Sequence, residues 1–367
     1  MKKTFLYLTL ALFVLLIFTA VSCNEPVFYN ASIQIPLRPP LIDGSPSKLV
    51  KFDVDNSMYA ASGKVLYWFN DGDWNHKNFP SWIRDIAATE KYLYVCMDKT
   101  LQRFDGSDWE SIETGLNMQK IFGAKNYLYI SSGASSFAIN YISDADNAAS
   151  PVSITNGTAT MLISAAVCGN DIFLCSKDGI FFTAVSAPQS ITMVSDSNGK
   201  NLTGIINPGN SSGTIFAIDY NGNLYTATSA GFNADPIAGF KDGRRTTGAL
   251  TVYSAEGNST LLLLVGRMDV GYAYNTGYVY GYVEIKISSD MLGITGEFSI
   301  PGNGDPTTVE KTERYNSSLG KNPVNSIYQY KTPQSNILFA STQKRGVWSY
   351  RNRGSDELPD WYWNAEE

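Results

Sequence analysis

From residue 48 onward the apolar positions come in bursts of four to eight residues, with no helical spacing. The stretch Trp82–Glu113 shows the unit. It reads WIRDIAAT, EKYLYVCM, DKTLQRF and DGSDWESIE, four apolar-polar segments each closed by turn residues. Segments of this length, rich in Tyr, Phe, Val and Ile and bounded by Gly-Asn, Asp-Gly, Asn-Gly and Gly-Lys, read as strands.

The same order recurs on both sides. Ser57-Met-Tyr-Ala-Ala-Ser, Tyr92-Leu-Tyr-Val-Cys-Met and Tyr127-Leu-Tyr-Ile-Ser-Ser place Tyr59, Tyr94 and Tyr129 at intervals of 35, and Trp74 and Trp109 also differ by 35. Looser copies begin at Asp171, Thr214, Leu261 and Asn336, making seven second strands. Each is preceded by an inner-strand candidate, such as Ile83–Ala88, Gln119–Ala124, Leu162–Val167 or Ser326–Tyr330. Each is followed by a third strand, such as Val65–Phe69, Leu101–Phe104, Ile180–Thr183, Leu224–Thr228 or Val347–Tyr350. A fixed period in this range marks stacked supersecondary units. Radial four-stranded sheets protect their edges, so the expected fold is all-β, a β-propeller of seven four-stranded blades over 48–367. An open sandwich array is the competing arrangement.

Composition agrees with an exported β-rich chain: 17% charged residues, 13% aromatic, 22 Tyr and 31 Gly in 367 residues. The formal charge is −6, and removal of a leader holding Lys2 and Lys3 leaves about −8. That balance argues against general nucleic-acid binding.

The leader has a basic start, Lys2-Lys3, an apolar run from Phe5 to Phe18 broken only by Thr9, and then Ala20-Val21-Ser22-Cys23. This is the layout of a secretory signal. The last four residues resemble the lipobox of bacterial lipoproteins, although Leu is commoner than Ala at the first of them. The resemblance implies cleavage after residue 22, lipidation of Cys23, and a cell-envelope address in a diderm bacterium, on the outer membrane, facing the periplasm or the outside. An uncleaved anchor helix and plain secretion with a free Cys23 are the alternatives. The Pro-, Asn- and Ser-rich stretch 23–47 suits a tether, with Ile33-Gln-Ile-Pro-Leu expected to add one edge strand.

Candidate chemistry is sparse. Phe69-Asn-Asp-Gly-Asp-Trp74 and Phe104-Asp-Gly-Ser-Asp-Trp109 resemble the F-D-G-x-x-W turns of bacterial propeller repeats. Asp-Gly is a favoured hairpin turn, so the expectation is scaffold, with each Trp packed between blades. No calcium loop of D-x-D-x-D-G type is present. His76 is the only histidine, and acid–base and zinc chemistry lean heavily on that residue type. No G-x-S-x-G, P-loop or dinucleotide fingerprint occurs. Cys96 and Cys175 share one repeat position two blades apart, too far for a disulfide. They and Cys168 are expected as buried free thiols. The expectation is therefore no catalytic residues, no metal and no cofactor.

Loops between second and third strands, and crossovers between blades, should share one face. That first face collects Lys64, Lys77, Lys99, Lys177, Lys200, Lys241, Arg244, Arg245, Arg267, Lys344 and Arg345 together with acids such as Asp98, Asp178 and Asp219, and the opposite face collects Asp55, Asp71, Asp73, Glu90, Asp105 and Asp144, with Lys91 and Lys125 opposing. The first face also carries a Tyr-Gly-rich loop, 266–281, and an insertion, 301–323. Partner-binding candidates are Arg244, Arg245, Arg267, Tyr272, Tyr274, Lys344 and Arg345. The chain reads as a lipid-anchored, non-catalytic binding or scaffold module for protein or glycan, joined to the membrane through Cys23. A propeller enzyme of lyase or hydrolase type, acting on glycans, is the alternative.

Overall fold

The structure is a computed structural model. It describes residues 42, 44, 46, 48–70, 72–133, 137–146, 148–154, 161–241, 243, 245–254, 260–268, 272–273, 277–278, 281–299, 319, 322–333, 335–343, 345–352 and 361–366. All of them lie in the compact unit Pro40–Glu367. No α-helix occurs among them.

Seven four-stranded antiparallel sheets follow one another along the chain as the blades of a β-propeller. Blade one is Val50–Phe52, Ser57–Ser62, Val65–Asn70 and Asp73–Asn78; blade two is Asp85–Ala88, Leu93–Met97, Thr100–Phe104 and Trp109–Glu113. Blade seven is Val324–Lys331, Asn336–Thr342, Val347–Asn352 and Trp361–Ala365. Second strands are covered on both sides, so Leu93–Met97 and Ile215–Asp219 are buried at every position. Two-sided burial explains why they read as unbroken apolar runs instead of alternating ones. Outer strands face water, and Asp73–Asn78 has no buried residue.

The F-D-G-x-x-W turns do what their residues predict. Phe104 and Trp109 are direct cross-strand partners with rings stacked at 4.9 Å, and Trp109 also meets Phe79 of the preceding crossover at 5.3 Å. Trp74 meets Phe339 of blade seven at 5.7 Å. Asp105 accepts the Ser107 and Asp108 amides at 2.8 and 2.9 Å, and these bonds hold its carboxyl down at about 2. This aspartate closes a turn.

Neighbouring blades are wedged by the apolar faces of their sheets and tied near the axis by single polar side chains. Ser164 of blade four accepts the Ile205 amide of blade five at 3.0 Å. Thr247 of blade six donates to the Val324 carbonyl of blade seven at 2.6 Å. Gly123 of blade three lies so close to blade two that an added Cβ would sit 1.7 Å from the Ala88 carbonyl oxygen. Only a glycine fits there.

Blade one and blade seven meet without exchanging a strand. Met58, Ala60 and Phe69 pack on Tyr330, Ile337 and Phe339. The Leu49 amide donates to Ser326 Oγ at 2.9 Å, Tyr330 Oη to the Asn56 carbonyl at 2.8 Å, and Trp74 Nε1 to Glu366 Oε2 at 2.8 Å.

Blade six differs from the others. Its second and third strands, Leu261–Arg267 and Tyr282–Ile287, are separated by a two-stranded hairpin, Tyr272–Ala273 with Gly277–Tyr278. Tyr272 and Tyr278 are cross-strand partners in this hairpin, outside the blade sheet. The lipobox-like stretch ending at Cys23, the edge strand expected at 33–37 and nearly all of the insertion 301–323 lie outside the described residues.

Candidate functional site

On the face of first-to-second-strand loops, two adjoining grooves open around the axis. One, of ≈ 500 Å³, spans blades one to five and is lined by Lys51, Asp53, Thr89, Glu90, Lys125 and Asn207. The other, of ≈ 550 Å³, shares Glu90 and adds Val54, Lys91, Asp105, Asn126 and Asp144. Their charges are largely matched locally: Lys51 stands 2.9 Å from Asp53 and Lys125 3.3 Å from Glu90. This face is a mosaic of both signs, less uniformly acidic than its turn residues alone suggest.

Asp144 is the unusual group there. It is 4% exposed, and Oδ1 accepts from Tyr94 Oη at 3.0 Å. Burial pushes its carboxyl up, while the Thr89 hydroxyl and the Lys91 backbone amide favour the charged form. Arg103, also buried, stacks 4.5 Å from the Tyr92 ring and reaches Glu110 at 2.7 Å. The inner end of this groove is therefore a polar cluster held between blades two and three.

The axis carries a second charged cluster, in which Asp85 is buried and Lys48 half-buried. Lys48, just before blade one, donates to Asp85 of blade two at 3.1 Å and to the Ile121 carbonyl of blade three, with Phe122 4.2 Å below its ammonium. Asp85 also accepts the Ile121 amide at 3.0 Å. Burial pushes the Lys48 ammonium down and Asp85 opposes the shift. This strap was not visible in the sequence. An aspartate opening an apolar inner strand was its single trace.

Among the sequence candidates, blades five and six bring Arg245 and Arg267 together on the first face. The Met268 amide donates to the Arg245 carbonyl at 2.9 Å. The Arg245 guanidinium lies 5.0 Å from the Tyr220 ring and donates to its hydroxyl at 2.9 Å. Arg267 is 5% exposed, 5.3 Å from the Phe240 ring, in a ≈ 160 Å³ cleft with Lys241 and Glu297. Arg345 is exposed on the second-to-third-strand turn of blade seven, its amide donating to Thr342 Oγ1 at 3.0 Å and its carbonyl accepting Trp348 Nε1 at 2.9 Å. Tyr272 lies in the blade-six hairpin. Cys23, Arg244, Tyr274 and Lys344 lie outside the described residues.

The three thiols are free and buried. Cys96 belongs to the core between blades two and three, and Cys168 and Cys175 to the core between blades four and five.

No protein-family profile matches the chain, and no curated protein resembles it in sequence. Solved structures do resemble it in fold. An ancestral GH74 enzyme superposes with a TM-score of 0.60 at 15% identity, over 89% of this chain and 47% of that one. The extracellular domain of a putative one-component system from B. thetaiotaomicron gives 0.52 at 12% identity, over 88% and 40%. YCF48 bound to D1 peptide gives 0.54 at 10% identity, over 85% and 95%. This chain thus spans less than half the length of the first two. At such identities the likeness is one of fold: the chain is built as β-propeller proteins are.

Proposed function

We propose that the chain is a lipid-anchored β-propeller of the bacterial cell envelope that binds a protein or glycan partner through its first face. One observation carries this reading. At the rim of blades five and six an exposed arginine, Arg245, is stacked on Tyr220 and bonded to it, beside the 37%-exposed Met268. An arginine and an aromatic ring held in fixed geometry on short loops form the contact surface that interfaces favour. The lipobox at Cys23 supports the membrane address, and the extracellular relative by fold is compatible with it.

The test uses the full chain in cells. Cys23→Ala should move the protein from the membrane pellet to the soluble fraction. Arg245→Glu combined with Arg345→Glu should abolish crosslinking to the partner captured by the native chain. A partner captured equally by the double variant would refute this face.

A second reading, an enzyme acting on glycans, has Asp144 in its favour, because a carboxyl pushed up by burial in a groove that Glu90 also lines suits a general acid. Asp144→Asn should then abolish release of reducing ends from an envelope polysaccharide, and release that persists removes the reading.

A further inference from the structure

The first face holds a second feature, on blades one and two. Trp82, in the crossover between Asp73–Asn78 and Asp85–Ala88, is 70% exposed, the most exposed large apolar side chain among the described residues. Singly exposed apolar residues are ordinary, but this one is not on a loose loop. The Phe79 amide donates to the Lys64 carbonyl, the Ile83 amide to the Gly63 carbonyl and the Arg84 amide to the Cys96 carbonyl, each at 2.8 Å. Lys64 Nζ adds a bond to the Pro80 carbonyl at 3.1 Å.

The indole lies against Gly63. A Cβ built there would be 3.6 Å from its benzo ring. One part of the ring is thus supported by backbone, and the rest is presented to solvent in a fixed position. Preorganised side chains of this kind lose little freedom on binding.

The surroundings are cationic. Arg84 is two residues from Trp82 in the chain, Lys64 follows Gly63 and bonds the Pro80 carbonyl of the same crossover, and Lys99 lies on the adjacent blade-two turn. Arg84 contacts Asp98 at 3.0 Å and Gln119 at 3.4 Å, and both members of the ion pair remain substantially exposed. On a chain of net negative charge, such a patch has to act locally.

We infer that this crest is a binding site for an anionic glycan. The C–H face of a sugar ring lies on Trp82, and a carboxylate or sulfate of the same or the next residue pairs with Arg84 and Lys64. The flat, supported ring favours a pyranose, and the flanking cations select acidic sugars over neutral ones. Such binding presupposes the binding-module reading above, but it uses blades one and two instead of five to seven.

Affinity electrophoresis of the full chain in detergent, through gels containing polygalacturonate, chondroitin sulfate or dextran, tests it. Retardation is expected in one or both anionic gels and not in dextran, and the gel that retards identifies the carboxylate or the sulfate. Trp82→Ala should weaken it at least tenfold with the thermal melt unchanged, and Trp82→Phe should restore most of it. Arg84→Gln with Lys64→Gln should remove the preference for the anionic gels. Raising NaCl from about 50 to about 500 mM should weaken it in the native chain.

Equal retardation by dextran, or native retardation of Trp82→Ala, overturns the site. So does equal retardation in a fourth gel containing poly-glutamate, which would mark a peptide surface. If these fail while partner capture still depends on Arg245, the glycan site alone falls and the binding module stands.

Discussion

Cys96 and Cys175 sit in two separate inter-blade cores, and burial pushes both thiols up to about 12. The thiolate is the reactive form, so neither should react with a disulfide reagent at about pH 8 until the chain unfolds. The same shift links stability to pH. In the unfolded chain these thiols ionise near pH 8.5, while in the fold they keep their protons to about 12. Their contribution is therefore complete below about pH 8.5 and is lost as pH rises toward 12. Tyr59 and Tyr94, also pushed up by burial, add in the same sense. Lys48, pushed down, acts in the opposite sense but is one group against several, since Tyr129, Cys168, Tyr225 and Tyr328 are raised by burial as well. The urea midpoint should fall between about pH 8 and about pH 10.5. It should fall less in a Cys96→Ala, Cys175→Ala variant, and a flat profile in the native chain contradicts the assignment.

At the scale of the element, the junction to test is the one between blade one and blade seven, where the ring closes without a shared strand. Glu366, 3% exposed, receives Trp74 from blade one and Ser349 and Arg351 from its own blade. Glu366→Ala removes all three acceptor roles and leaves Trp74 Nε1 and Arg351 to find water. The expected loss is about 2–4 kcal/mol, the range for breaking a buried charged hydrogen-bond cluster, read from the urea midpoint. A loss below about 0.5 kcal/mol, as at an ordinary surface site, would show that apolar packing alone closes the seam.

Strand legibility follows from burial. Second and third strands were readable because they are long and covered. The third strand Leu224–Thr228 was expected and found, and the inner strand expected at Ile83–Ala88 is Asp85–Ala88. Fourth strands such as Val152–Ser153, Thr192–Met193 and Gly231–Phe232 have two residues each. Two residues on an outer edge cannot display a period. The Tyr-Gly loop was legible as unusual, but whether its tyrosines continued the blade or left it was not. A hairpin and a strand share one alternation.

For the whole molecule, seven blades were legible because each copy repeats a local pattern. The contacts that set the ring were not, because they join residues far apart in sequence. Gly123 owes its identity to the Ala88 carbonyl, and Asp85 to Lys48 and Ile121. Neither leaves a motif. The sequence did point to the first face, since crossovers and second-to-third-strand loops carry its cations. It did not separate Trp82 from the rest of its blade, because exposure of a ring is a property of the closed ring. The strap at Lys48 also has a mechanical side. Any pull on the chain from upstream of residue 48 arrives at an ammonium bonded to blade two and blade three as well as at the first strand of blade one. Load is shared across three blades before a single ladder of strand hydrogen bonds has to yield. A propeller pulled from its N-terminal side should therefore resist being unzipped one blade at a time.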